Sequence, residues 1–127
     1  LLLLYYIVLH YRMSKKPEKL SFYTSVKNHK HLKAINKDFG FSIGDTIHRM
    51  IEFFAKDGNT KNTIDKLRSS MSKKHVFLSF RTTPKNQKNL NEIKIKYNLT
   101  IGEIVHRMIS HFSESEDGKK TIDKLMK

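Results

Sequence analysis

Two stretches of this 127-residue chain match without a gap at an offset of 58, and that repeat restricts the fold more than any other feature. Leu20-Ser21-Phe22 returns as Leu78-Ser79-Phe80, and Ile43-Gly44 as Ile101-Gly102. His48-Arg49-Met50-Ile51 returns as His106-Arg107-Met108-Ile109, and Thr63-Ile64-Asp65-Lys66-Leu67 as Thr121-Ile122-Asp123-Lys124-Leu125. About 22 of about 50 aligned positions are identical, far beyond chance for so short a window. A stacked solenoid needs about three or more units to bury its faces. Two copies point instead to a pair that completes one core, an intramolecular pseudo-dimer.

Each copy opens on a period-two stretch. In the second, Val76, Leu78, Phe80 and Thr82 share one face, and Phe77, Ser79 and Arg81 the other. In the first, Leu20, Phe22 and Thr24 oppose Lys19, Ser21 and Tyr23. One such strand is too short to stand alone, so its expected partner is the matching strand of the other copy. Thr83-Pro84 then marks a helix start, a capping hydroxyl before a proline at the first helical position. Leu90, Ile93 and Tyr97 carry that helix's apolar stripe, matched by Leu32, Ile35 and Phe39. Gly40 and Asn98 stand where a left-handed residue ends a helix.

Ser42-x-x-Asp45 and Thr100-x-x-Glu103 are capping-box patterns that open a second helix. Its expected buried face is Ile43, Ile47, Met50, Ile51 and Phe54, matched by Ile101, Val105, Met108, Ile109 and Phe112. Thr63–Leu67 and Thr121–Leu125 can each add a short third helix. The expected fold is mostly α with a short antiparallel β-ribbon.

The formal net charge is +13, from 25 basic and 12 acidic residues. Such an excess points to a polyanionic partner, nucleic acid before an anionic membrane surface. Lys15, Lys16, Lys19, Lys27, Lys30, Lys33 and Lys37 surround the first strand and helix. Lys73, Lys74, Arg81, Lys85, Lys88, Lys94 and Lys96 do the same in the second copy, whereas Glu114, Glu116 and Asp117 fall late in it. The ribbon side is therefore the expected anion-binding side.

This order of strand, capped helix, Gly/Asn break, Ser/Thr-capped second helix and His-Arg-Met-Ile run resembles the ribbon-helix-helix (Arc/MetJ) superfamily. The resemblance covers residues 19–54 and 76–112. In its tandem fused form it is similar to transcription regulators of archaeal viruses. It implies two tandem ribbon-helix-helix repeats, over residues 14–69 and 76–127, joined by a linker over 70–75 and preceded by an apolar extension over 1–13. It also implies a sequence-specific double-stranded-DNA-binding transcription regulator, a repressor or activator, acting inside a host cell as a higher homo-oligomer on DNA.

Family members lay the paired strands in the major groove. By that resemblance Lys19, Ser21, Tyr23, Phe77, Ser79 and Arg81 would read bases. The second-helix starts, Ser42, Ile43, Gly44, Thr100, Ile101 and Gly102, would meet phosphates together with Lys85 and Lys88. Glycine in both first turns would permit close backbone approach. Thr24 and Thr82 depart from the family, which commonly places a larger aliphatic residue there. Ile101 also stands where a basic residue often follows the capping hydroxyl.

Other functions find little support in the residues. Cysteine is absent, so there is no thiolate nucleophile and no cysteine-ligated metal. No nucleophile motif, phosphate loop or paired-carboxylate signature appears, and a non-enzyme without cofactor, metal or small-molecule substrate is expected. His29 and His31 are replaced by Gln87 and Asn89 in the second copy, whereas His48 and His106 recur and are read as satisfied interface histidines. Leu1–Leu9 is an apolar run too short to span a bilayer, and it lacks the flanks of a signal peptide, so no membrane partner is expected. Met13-Ser14-Lys15-Lys16 reads as a chain start, leaving residues 1–12 as an upstream extension or as an apolar arm that packs on another chain. Competing readings are a weakly specific architectural DNA coat and an antitoxin-like module that clasps a protein.

Overall fold

The computed structural model describes residues 19–56, 67 and 73–126. The Leu1–Leu9 run, the Met13 start, residues 63–66 of the first tail and residues 70–72 of the junction lie outside the described residues. The elements are β1 (Lys19–Thr24), α1 (Val26–Phe39), α2 (Ile43–Lys56), β2 (Val76–Arg81), α3 (Pro84–Tyr97), α4 (Ile101–Glu114) and α5 (Glu116–Met126). The fold is mostly helical with a two-stranded antiparallel sheet.

Local chemistry accounts for the boundaries. Ser25 and Thr83 cap α1 and α3, each hydroxyl accepting the backbone N–H three residues on, from Asn28 at 3.1 Å and Asn86 at 3.2 Å. Ser42 and Thr100 do the same for α2 and α4, accepting from Asp45 and Glu103 at 3.1 Å. Gly40 (φ 77°) and Asn98 (φ 54°) take the left-handed conformation that ends α1 and α3. Ser115 serves two helices at once. Its N–H donates to His111 O at the end of α4, and its Oγ accepts from Gly118 N at 2.9 Å to start α5. A Cβ at Gly118 would fall 2.0 Å from His111 O, so this corner admits only glycine. The second tail helix is therefore longer than Thr121–Leu125 alone suggests.

β1 and β2 pair antiparallel in a register centred on Ser21 opposite Ser79. Lys19 pairs with Arg81, Leu20 with Phe80, Phe22 with Leu78, Tyr23 with Phe77, and Thr24 with Val76. The inward side chains Phe22 and Phe80 are buried and meet edge-to-face at 5.8 Å between ring centroids. Beneath them lies one core made by Leu32, Ile47, Met50, Ile51 and Phe54 with Leu90, Val105, Met108, Ile109 and Phe112. Ile43, Ile93 and Ile101 are only partly covered. Ile104 is fully buried as well, opposite in the repeat to the equally buried Thr46.

Reciprocal contacts join the two halves. Arg49 Nη1 donates to Leu125 O and Arg107 Nη1 to Leu67 O, both at 3.3 Å. Each second helix thus holds the tail that follows the other.

Candidate nucleic-acid interface

Antiparallel pairing brings the six candidate base readers onto one outward face of the ribbon. Lys19, Ser21, Tyr23, Phe77 and Arg81 are exposed and Ser79 is half-buried. Ser21 Oγ and Ser79 Oγ hydrogen-bond to each other at 2.9 Å at the centre of that face. The rings of Tyr23 and Phe77 lie 5.0 Å apart and are 58% and 57% exposed. Without a partner such a face would be a solvated sheet surface.

The helix starts lie against the strands. Ser42 and Thr100 are exposed, whereas Ile43, Gly44, Ile101 and Gly102 are half-buried. A Cβ at Gly102 would sit 3.4 Å from Phe22 Cβ, and one at Gly44 would sit 3.9 Å from Phe80 Cβ. The close approach that glycine allows is thus, at Gly102, first of all an approach of α4 to β1 of the same chain. Both distances are ordinary van der Waals contact, so α2 and α4 each begin directly beside one strand of the ribbon.

The two starts differ electrostatically. Asp45 is exposed in the first turn of α2. Its counterpart Glu103 is held by Lys74 and by Arg107 Nε, the latter at 2.9 Å. Burial pushes the Glu103 pKa up, but the hydrogen bonds and charges of Lys74 and Arg107 outweigh it and hold the carboxyl below its ordinary value. Lys74 is accordingly engaged with a carboxylate. Lys85 and Lys88 are exposed on α3. Lys85 lines a shallow cleft with Glu52, Ala55, Lys56, Asn86 and Asn89, at the end of α2 remote from Gly44.

Two polar clusters gather around the recurring histidines His106 and His48, whose threonine and asparagine partners went unread in the sequence. Thr24 Oγ1 lies 2.8 Å from His106 Nδ1, and Asn28 Nδ2 donates to Thr24 Oγ1 at 3.0 Å and to Ser110 Oγ at 2.9 Å. The same trio recurs as Thr82, His48 and Asn86, with Thr82 Oγ1 3.1 Å from His48 Nδ1 and Asn86 Nδ2 2.9 Å from it. The signal was available, since Thr, Asn and His recur at all three positions. His48 Nε2 lies 2.8 Å from Glu52 Oε1. His106 is 1% exposed and its Nε2 has no hydrogen-bond partner among the described residues.

Compared with known proteins, the chain matches no family model, no curated protein and no solved structure. Its function is therefore argued from the site. Among the described residues no three His, Asp or Glu side chains gather where a metal ion could be held, and no helix is long and apolar enough to cross a membrane.

Proposed function

We propose that this chain is a sequence-specific double-stranded-DNA-binding transcription regulator, built as a fused ribbon-helix-helix pseudo-dimer that occupies a promoter. The observation that carries the reading is the ribbon register. Pairing about Ser21 and Ser79 makes one outward face from six candidate readers and sets one helix start beside each strand. Two strands about 4.8 Å apart fit a major groove about 12 Å wide, and helix-start amides are ready-made phosphate donors. A formal charge of +13 supplies the attraction to the backbone. Full operators would gain their symmetry from two or more chains related by a twofold axis.

The test is a titration of the full chain against a duplex selected from a random pool and against scrambled duplex. The expected result is binding to the selected duplex about a thousandfold or more tighter than to the scrambled one at physiological salt. Equal affinity for both would replace this reading with that of an architectural coat. Absence of binding to any duplex would reject it.

A further inference from the structure

The outward face of the ribbon is polarised. Lys19 stands opposite Arg81 at one end, Tyr23 opposite Phe77 at the other, and the Ser21–Ser79 hydrogen bond lies between. In the repeat alignment, however, Lys19 corresponds to Phe77 and Tyr23 to Arg81. Both outer positions have therefore changed type between the copies, and antiparallel pairing sorts the result. The two cations come together at one end and the two aromatic rings at the other. Identical copies would have carried the same pair at both ends.

The two ends offer a partner different chemistry. Lys19 and Arg81 set two cationic side chains on the exposed face at one end. The ring pair does support the ribbon, yet it leaves more than half of each ring in water. Both arrangements gain from a partner rich in acceptors at one end and in exposed methyl groups at the other. The major groove has these features, because guanine presents O6 and N7 acceptors and thymine presents its C5 methyl.

We propose that a single chain docks on DNA in one orientation, with Lys19 and Arg81 over a guanine-bearing step and Tyr23 and Phe77 over thymine methyl groups. The recognised subsite is then not a palindrome. This rests on the DNA-binding reading above. Arg81 supplies a planar fork for guanine O6 and N7, and Lys19 a single-headed contact. Each half has its own helix start beside the ribbon, so the polarity lies in the outward side chains. Gly44 adjoins Phe80, which pairs with Leu20 toward the basic end, and Gly102 adjoins Phe22, which pairs with Leu78 toward the aromatic end.

The experiment uses the full chain to select from a random duplex pool, and then the shortest selected duplex that holds one chain. That duplex is titrated with Arg81→Ala and Phe77→Ala variants, with guanines replaced singly, and with thymines replaced singly by deoxyuridine, which removes only the methyl. Both side chains are exposed, and circular dichroism checks that the variants fold. Arg81→Ala is expected to weaken binding on the order of tenfold or more and to abolish sensitivity to guanine replacement, while sensitivity to deoxyuridine persists. Phe77→Ala is expected to do the reverse. Two equally strong, mirror-related half-sites, or an Arg81→Ala effect felt equally at both ends, would overturn the polarity while leaving DNA binding intact. Failure of the unaltered chain to bind any duplex would overturn both readings.

Discussion

Thr24 Oγ1 lies 2.8 Å from His106 Nδ1, tying the inward end of β1 to the second helix of the other half. Asn28 Nδ2 donates to the same threonine oxygen and lies 3.4 Å from the same ring nitrogen. The two hydrogens of that amide go to Thr24 Oγ1 and Ser110 Oγ, and the direction of the threonine–Nδ1 hydrogen bond follows the ring tautomer. A larger aliphatic residue at this strand position could not make that link. Thr24→Val keeps the shape and removes the hydroxyl, leaving buried donors and acceptors short of a partner. The expected loss is about 1–3 kcal/mol. Thr82→Val is expected to cost less, because the His48 side chain is 29% exposed and water can replace the lost contact. Urea unfolding of both variants checks the order, and equal losses would contradict it.

Stability should fall on mild acidification. Burial lowers the His106 pKa below 6.5; Lys74 and Arg107 add to this, while Glu103 and Glu114 oppose it. Burial likewise lowers His31 and His29, helped by Lys119 and Lys33 respectively. A histidine with a depressed folded pKa is protonated more readily when unfolded. Its contribution is therefore whole above about pH 6.5 and is lost as pH falls from there toward the folded value. Glu103 adds a separate loss at lower pH, as its carboxyl is protonated below 4.5. Urea midpoints at about pH 7.5 and about pH 5.5 should differ in that direction, and less so in His106→Gln. A midpoint that rises on acidification would exclude this account.

A fragment of residues 72–127 should not fold as a monomer. It keeps β2, α3, α4 and α5 but loses the Thr24 and Asn28 partners of His106, the strand that pairs with β2, and Leu67 O for Arg107. Pairing with a second copy of itself would restore equivalents of all but Leu67, which Leu125 would replace. Sedimentation and concentration-dependent circular dichroism should show an unfolded monomer in equilibrium with a homodimer. A stable folded monomer would refute the pseudo-dimer.

Gly44→Ala separates packing from DNA contact. No atom outside the local chain lies closer than 3.9 Å to the added Cβ, and alanine is the better helix former by about 1 kcal/mol. Folding should therefore be unchanged or slightly strengthened. If phosphate approaches the α2 amides closely, DNA affinity should fall severalfold in the same variant. Unchanged affinity would remove Gly44 from the phosphate site.

Affinity should also fall steeply with salt. With about six phosphates neutralised, the log–log slope would be near −5. Anisotropy titrations across a range of salt concentrations measure it directly, and a flat response would argue against a backbone-dominated interface.

Much of the fold was legible in the residues. The caps at Ser42, Thr83 and Thr100, the left-handed stops at Gly40 and Asn98, and the alternating faces of the strands all follow from contacts between close neighbours. The stripes of Met50, Ile51, Met108 and Ile109 could be placed inward because a helix repeats its faces on a fixed period. The family resemblance named the candidate readers, but by itself it did not show which stood opposite which.

What the sequence determined by itself was the order of strand, helix and helix in each half and most of the face each buries, because caps, turns and periodicity are settled within a few residues. Tertiary structure alone decided the pairings between distant residues. Lys19 meets Arg81 rather than an aromatic ring because the strands run antiparallel about Ser21 and Ser79. Thr24 and Thr82 become buried hydrogen-bonding positions because each lies under a histidine from the other half. Gly102 lies against β1, where an added Cβ would meet Phe22 Cβ at 3.4 Å. These partners are separated by tens of residues, and no local preference specifies them. They meet only where residues from both halves of the chain close over a single core.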